Sequence, residues 1–579
     1  MRILHRVGIV DAAAHLIEVE TTISDEAPLP DPLVLFLPVW TPGSYLVREY
    51  SRHVEGFACE AHPVTKIRKN AWEVRAGAER EVTVRYRVYC AELTVRTNHV
   101  DATHLYLNGA PTFVAVSGRL DVPVEVELAV PEGWRVATSL EAAGERRFRA
   151  KDYDTLVDCP IEAGLHREAS VDILGRKHKF AIWSAHGATE TRPASAWDLD
   201  IARLLDATKA IVEAEARLFG GVLPHEGYQF LVHLAARGRG GLEHMTSSSL
   251  IAADTCFDTR ESWLDLLSLI AHEYFHLWNV KRMRPAGLSP YRYEEENYTR
   301  LLWWFEGATS YYDWRSVRLA KQCTTAEYLD HLASEIAYVE STPGRLVHAL
   351  ESASFDAWIK LYRPDENSPN STISYYRKGE LVCGLLDLEL RARTRGRSSL
   401  DAVLLHAWNT CGARGKPVPE DGMQRLFEEA TGLELGDLFD AWIRGTRDLD
   451  VDATLRHVGL AIERQPRGEA KCGLGVRTRA DGTRLYVASV LRGSAAQRAG
   501  LDAGDEIVAL GDKRVEASLD PVLAGKRPGD STTLLVCRDG LLRTLPVVLD
   551  PPRLDKIKLA VAKDATPEQN ALRAAWLGE

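Results

Sequence analysis

Paired cysteines are missing from this chain. Its nine cysteines are scattered singly from Cys59 to Cys537, with no CxxC or CxxxC spacing, which argues against a thiolate metal site. An odd count in a long chain fits reduced thiols of the cytosol. Long apolar runs are missing too. No stretch approaches the roughly 20 residues of a membrane span. The start, "MRILHRVGIVDAAAHLIEV", has no apolar run of the kind a secretion signal needs. The expectation is a soluble, cytoplasmic protein with no membrane partner. Basic excess is absent: the net charge is −11, which argues against nucleic-acid binding by bulk electrostatics.

What is present is ordinary globular composition, 45% hydrophobic and 26% charged, over 579 residues. Domains usually run to about 100–200 residues, so three or four are expected. The texture changes along the chain. Up to about residue 165 it alternates with period two. In "EVTVRYRVYC", Val82, Val84, Tyr86 and Val88 alternate with polar residues, and "HLIEVETTI" and "DVPVEVELAV" behave alike. This part reads as a β-sandwich-like domain. From about 195 to 455 the spacing turns helical, in "ASAWDLDIARLLDATKAIVEAEARLF", "SWLDLLSLIAHEYFHLWNVKRM", "NYTRLLWWFEGATSYYDWRSVRLA" and "YYRKGELVCGLLDLELRART". Between them "LVHLAARGRGGLEHMTSSSLIA" reads as strand, glycine loop and strand. Short strands return from about 456 to 552, and a charged tail follows, 553–579. The expected class is multidomain α+β: a β domain over 1–165, a catalytic domain over 166–330, a helical domain over 331–455, then the strand-rich module.

The chemistry concentrates in "AHEYFHLW". His272 and His276 stand four apart, so on a helix they project from one face and can take two corners of a metal tetrahedron. Glu273 lies roughly 100° around that helix. It is poorly placed to share the ligation but can reach a water held there. Histidine and carboxylate ligands suit zinc, and a catalytic zinc needs a third protein ligand and a position for water. Glu306, in "LWWFEGATSYY", is the candidate, because its aromatic flanks make a solvated face improbable. The competing carboxylates, Glu294 to Glu296, read as a solvated loop.

"HEYFHLWNVKRMRP" followed by "LWWFEGATSYY" closely resembles the glycyl aminopeptidase family of zinc metallopeptidases, which carry a PDZ domain. "LPVWTPGSYLVREYSRHV" resembles the family's N-terminal signature, and "DATHLYLNG" does so less specifically. The resemblance implies a thermolysin-like catalytic domain with one Zn2+ per chain on His272, His276 and Glu306, and Glu273 as general base. "GGLEH" is similar to the Gly-x-Met-Glu-Asn edge strand of the wider aminopeptidase group. Carried across, Glu243 anchors the substrate's free ammonium group, and Gly240 and Gly241 let the backbone pass close to the ligand. Leu242 and His244 depart from that motif, and the role of His244 stays open. "YYRKG" resembles the group's Tyr-x-Lys-Gly motif, which makes Tyr376 the oxyanion donor, with Tyr375 as the neighbouring alternative. "CGLGV" and "AGLDAGDEIVALGD", in that order, resemble a PDZ domain over 456–552, with Leu474, Gly475 and Val476 in its carboxylate-binding loop.

The implied activity is removal of N-terminal Gly or Ala from peptides with a free N-terminus, with a peptide or protein as the PDZ ligand. Two rivals remain: a zinc endopeptidase with the same metal site, and a PDZ-based binding or chaperone-like protein whose metal site is silent.

Overall fold

The structure, a computed structural model, describes residues 1–185, 199–236, 238–468 and 471–579. The chain forms two compact units. The first comprises residues 1–298, 312–322 and 407–419; the second comprises 299–311, 323–406 and 420–579.

The first unit opens as the alternating residues require. Glu81–Tyr89 buries Val82, Val84, Tyr86 and Val88 and exposes most of the residues between. It pairs antiparallel with Leu16–Ser24 inside a seven-stranded sheet. The strand Val124–Ala129 joins the same sheet. A four-stranded sheet faces this one. Phe57 of the larger sheet stacks on Trp72 of the smaller at 4.3 Å between ring centres, and Tyr86 stacks on Phe57 at 5.3 Å. The β-sandwich-like expectation is met.

A five-stranded mixed sheet follows. Its strand Gly227–Ala235 is buried almost throughout and runs parallel to both neighbours, Arg176–Ser184 and Ser247–Ala253. The glycine stretch is a short strand, Gly240–Glu243, at the sheet's edge and antiparallel to Ser247–Ala253. Two helices of this unit, Ile201–Leu218 and Arg260–Phe275, pack together. Residues 194–198 of the first helical stretch lie outside the described residues.

The second unit begins with a departure from the sequence reading. "LLWWFEGATSYY" is not one helix. Leu302–Phe305 forms one turn, Glu306 sits at the break, and Gly307–Leu319 starts afresh. The break accommodates a close approach: a Cβ on Gly307 would lie 2.6 Å from the Gly379 Cα, so the helix Arg377–Arg393 passes glycine to glycine. That helix buries Leu381, Val382, Leu385, Leu386 and Leu390, as its spacing predicts. Trp303 packs edge-on to Phe439 and Trp304 edge-on to Phe427.

The PDZ-like sheet runs in the order Val476–Asp481, Arg484–Val490, Glu506–Leu510, Ser531–Arg538, Leu541–Val548. Its core includes Leu474, Leu485, Val487, Ile507, Leu534 and Val536. Asn370 of the helical part fixes this module, donating to Val490 O at 2.8 Å and accepting from Arg492 N at 2.8 Å. The stretch read as a charged tail is folded. Lys556–Val561 pairs with Leu460–Gln465, and Pro567–Leu577 is a helix whose Trp576 and Leu577 are buried. Each of the nine cysteines is a free thiol. Among the described residues no helix is long and apolar enough to cross a membrane.

Candidate active site

Arg260–Phe275 is a helix with a defined start. Thr259 accepts from Ser262 N at 3.1 Å, and Ser262 Oγ accepts from Thr259 N at 3.2 Å. Its apolar residues, among them Trp263, Leu267 and Ile270, are buried. His272 and Glu273 fall in its last turn, and His276 closes its C-terminus. The two imidazoles lie 4.7 Å apart between ring centres, nearly perpendicular. Each ring is held through Nδ1, His272 by Asp313 Oδ2 at 3.0 Å and His276 by the Asn279 carbonyl at 2.8 Å. An imidazole held this way is oriented to offer Nε2 to a metal.

On the opposite face of the same turn, the Tyr274 hydroxyl lies 2.9 Å from His178 Nε2 and 2.8 Å from His225 Nε2. Burial lowers His178 from 6.5 to about 4 and His225 to about 3. Both are therefore neutral in the folded protein where the unfolded chain already takes up protons. The unfolded state binds more protons below pH 6.5, so these residues make stability fall as the pH drops from about 6.5 to about 4. Replacing both with Gln is expected to flatten that part of the curve. Urea midpoints measured above pH ~7 and near pH ~5 read this directly.

The edge strand meets the helix closely. A Cβ on Gly241 would lie 2.2 Å from the Glu273 carboxylate, so any larger residue there would have to displace that side chain. Glu243, Glu273 and His276 are all buried, and each offers an atom within 4.8 Å of the other two. Gly43, in the turn Thr41–Ser44 of the N-terminal part, has φ +86°, and a Cβ there would lie 2.4 Å from a Glu243 oxygen. The role of His244 becomes clearer. Its Nδ1 lies 3.7 Å from Asp158 Oδ1, and Asp158 in turn holds Lys281 Nζ at 2.6 Å and accepts from Met245 N at 2.7 Å. Burial works against the charge of both Asp158 and Lys281. Their mutual attraction prevails: the carboxyl is held well below the usual range and the ammonium is pushed up, with Tyr291 and Glu243 adding to the latter.

In the second unit Glu306 is buried at the helix break, and Tyr376 precedes the first turn of Arg377–Arg393. Tyr376 is half-buried and Tyr375 fully buried. The Tyr376 and Tyr362 hydroxyls are 3.0 Å apart. Burial, then Glu306 and the neighbouring tyrosines, push Tyr376 well above its ordinary value, so it stays a hydroxyl donor at neutral pH. Lys378 of the same motif is buried and lowered by that burial to about 8. In the PDZ-like module Leu474 is buried, Gly475 has φ +73° with Ser494 against it, and Val476 begins an edge strand that is mostly exposed. Glu294 and Glu295 form ion pairs with Arg68 and Arg292.

Several residues at the site were not marked by sequence. Asp158 and Asp313 come from segments far from the histidines, whereas Lys281 follows His276 closely, within "NVKRMRP".

Three family models match the chain: the peptidase M61 N-terminal domain over residues 5–165, the M61 glycyl aminopeptidase over 265–382, and a PDZ domain over 472–549. Among solved structures, an aminopeptidase N family protein from Idiomarina loihiensis is 30% identical. It aligns with a TM-score of 0.91 over 99% of this chain and 100% of its own. An M1 zinc metallopeptidase mutant from Deinococcus radiodurans, bound to a Tyr-Ser-Ala substrate, is 15% identical with a TM-score of 0.47, over 78% of this chain and 94% of its own. No curated protein matches.

Proposed function

The chain belongs to the M61 glycyl aminopeptidase family, and on that premise we propose that it is a zinc-dependent aminopeptidase that removes small N-terminal residues, Gly or Ala, from peptides. The observation that carries this reading is the convergence of Glu243, Glu273 and His276. A carboxylate beside the general base suits a substrate ammonium, and it sets the attacked carbonyl one residue from the N-terminus.

His272, His276 and Glu306 are the proposed ligands of one Zn2+. The donor set suits zinc, and the Nδ1 partners of both histidines support the assignment. Zinc there would polarise the scissile carbonyl and acidify water. Glu273 takes the proton of the attacking water and returns it to the leaving nitrogen. Tyr376 donates to the developing oxyanion. Glu243 binds the ammonium, steadied by the Lys281–Asp158 pair. The family's own name supports a short first side chain. The loop Leu474–Val476 and the edge strand after it are proposed to take a peptide segment by strand addition.

Chelation is expected to abolish hydrolysis of glycyl and alanyl anilides, and zinc to restore it at one equivalent per chain. Full activity in metal-free protein would refute the reading.

A further inference from the structure

The proposed mechanism gives no role to a guanidinium held against the edge strand. Arg96 lies in the loop after the strand Glu81–Tyr89, and its Nη2 donates to the Gly241 carbonyl at 3.0 Å. Its Nε has no hydrogen-bond partner, and it makes no ion pair among the described residues. The side chain is half-buried.

The loop that carries it is held from several sides. Tyr50 Oη donates to the Arg96 carbonyl at 2.9 Å, and Arg96 N donates to Thr94 Oγ1 at 3.1 Å. The Val95 carbonyl accepts from Tyr106 Oη at 3.1 Å, and the Val95 side chain is buried with Leu242 of the edge strand. Arg96 is thus presented on a fixed backbone, and a preorganised guanidinium loses little freedom on binding.

Its position relative to the chemistry follows from Gly241. That residue touches the Glu273 carboxylate through its Cα side and Arg96 through its carbonyl. Standard bond lengths then put the guanidinium at most about 9 Å from the Glu273 carboxylate. One further residue of a bound peptide spans about 3.5 Å beyond the attacked carbonyl. The site therefore has negative charge where the ammonium belongs, at Glu243, and an uncompensated positive charge within reach of the next residue's terminus.

We infer that Arg96 binds the C-terminal carboxylate of the substrate and that the preferred substrates are dipeptides with both ends free. The inference rests on the aminopeptidase reading above and deepens it: Glu243 reads the ammonium end and Arg96 the carboxylate end. A guanidinium meets a carboxylate with parallel hydrogen bonds, which an uncharged amide cannot match.

The test compares alanyl-alanine with alanyl-alanine amide, using the full chain loaded with zinc. The free acid is expected to have a KM at least about tenfold lower at similar kcat, as for loss of a charge-assisted bond. Arg96→Gln is expected to bring the acid-to-amide ratio near one, and Arg96→Lys to keep part of it. The ratio is taken within each preparation, so partial misfolding does not alter it. If Arg96→Gln does not fold, the wild-type ratio decides. Equal KM values for acid and amide, with the N-acetylated dipeptide inert, would overturn the role of Arg96 and leave the aminopeptidase standing. A ratio unchanged in Arg96→Gln would overturn it too. Cleavage of the N-acetylated dipeptide would overturn the aminopeptidase reading itself.

Discussion

Glu273→Gln is expected to lower kcat by about 10²–10⁴ while zinc content stays at one equivalent per chain. The two parts of this expectation have separate physical sources. The substitution keeps the shape and hydrogen-bonding reach of the side chain, and the Nδ1 bonds that orient His272 and His276 come from Asp313 and Asn279, which it leaves untouched. Metal affinity should therefore survive. What is lost is an acceptor for the water proton, and an amide cannot take that role. Glu243 is close but is engaged by the substrate ammonium in this account. Metal analysis beside anilide kinetics checks both parts. Loss of zinc together with activity would make Glu273 a structural support of the metal site and not the base.

The second large effect is expected at the far end of the chain. Trp576→Ala should destabilise the second unit by about 3–5 kcal/mol, the range for removing a large buried aromatic. Trp576 is 1% exposed and packs edge-on to Tyr328. Its indole Nε1 donates to Tyr311 Oη at 2.9 Å, and that hydroxyl donates to Asp387 Oδ2 at 2.6 Å. Asp387 is itself buried and accepts from Leu400 N at 2.8 Å and Arg391 Nε at 3.1 Å. Tyr311 lies in the helix that begins immediately after Glu306. The C-terminal helix is thus a support for the segment carrying the proposed third ligand. Trp576→Phe keeps an aromatic ring but drops the donor and some buried volume, and should cost less, about 1–3 kcal/mol. Denaturant unfolding of both variants measures the difference. Equal small losses would mean that the C-terminal helix is peripheral.

How far the sequence discloses this molecule depends on the range of the interaction. Alternation in "EVTVRYRVYC" and the spacing of Leu381, Val382, Leu385, Leu386 and Leu390 are local patterns, and they place strand and helix correctly. The His-Glu-x-x-His spacing is likewise local, since one helical turn sets it. The break at Glu306 is not local. It depends on Gly307 meeting Gly379, more than seventy positions away. The folding of residues 553–579 is not local either: the partners of Trp576 are Tyr311 and Tyr328, more than two hundred positions away. Arg96 carries no local mark at all among 71 lysines and arginines. Only the fold brings it to Gly241.

Glu243 is proposed to make this a peptidase of the free N-terminus. The most direct test is hydrolysis of alanyl-anilide beside its N-acetylated form by the zinc-loaded protein. Cleavage of the free amine alone, lost in the acetylated form, is the predicted result. Equal cleavage of both would contradict the account, remove Glu243 from the ammonium, and leave an endopeptidase with the same metal site.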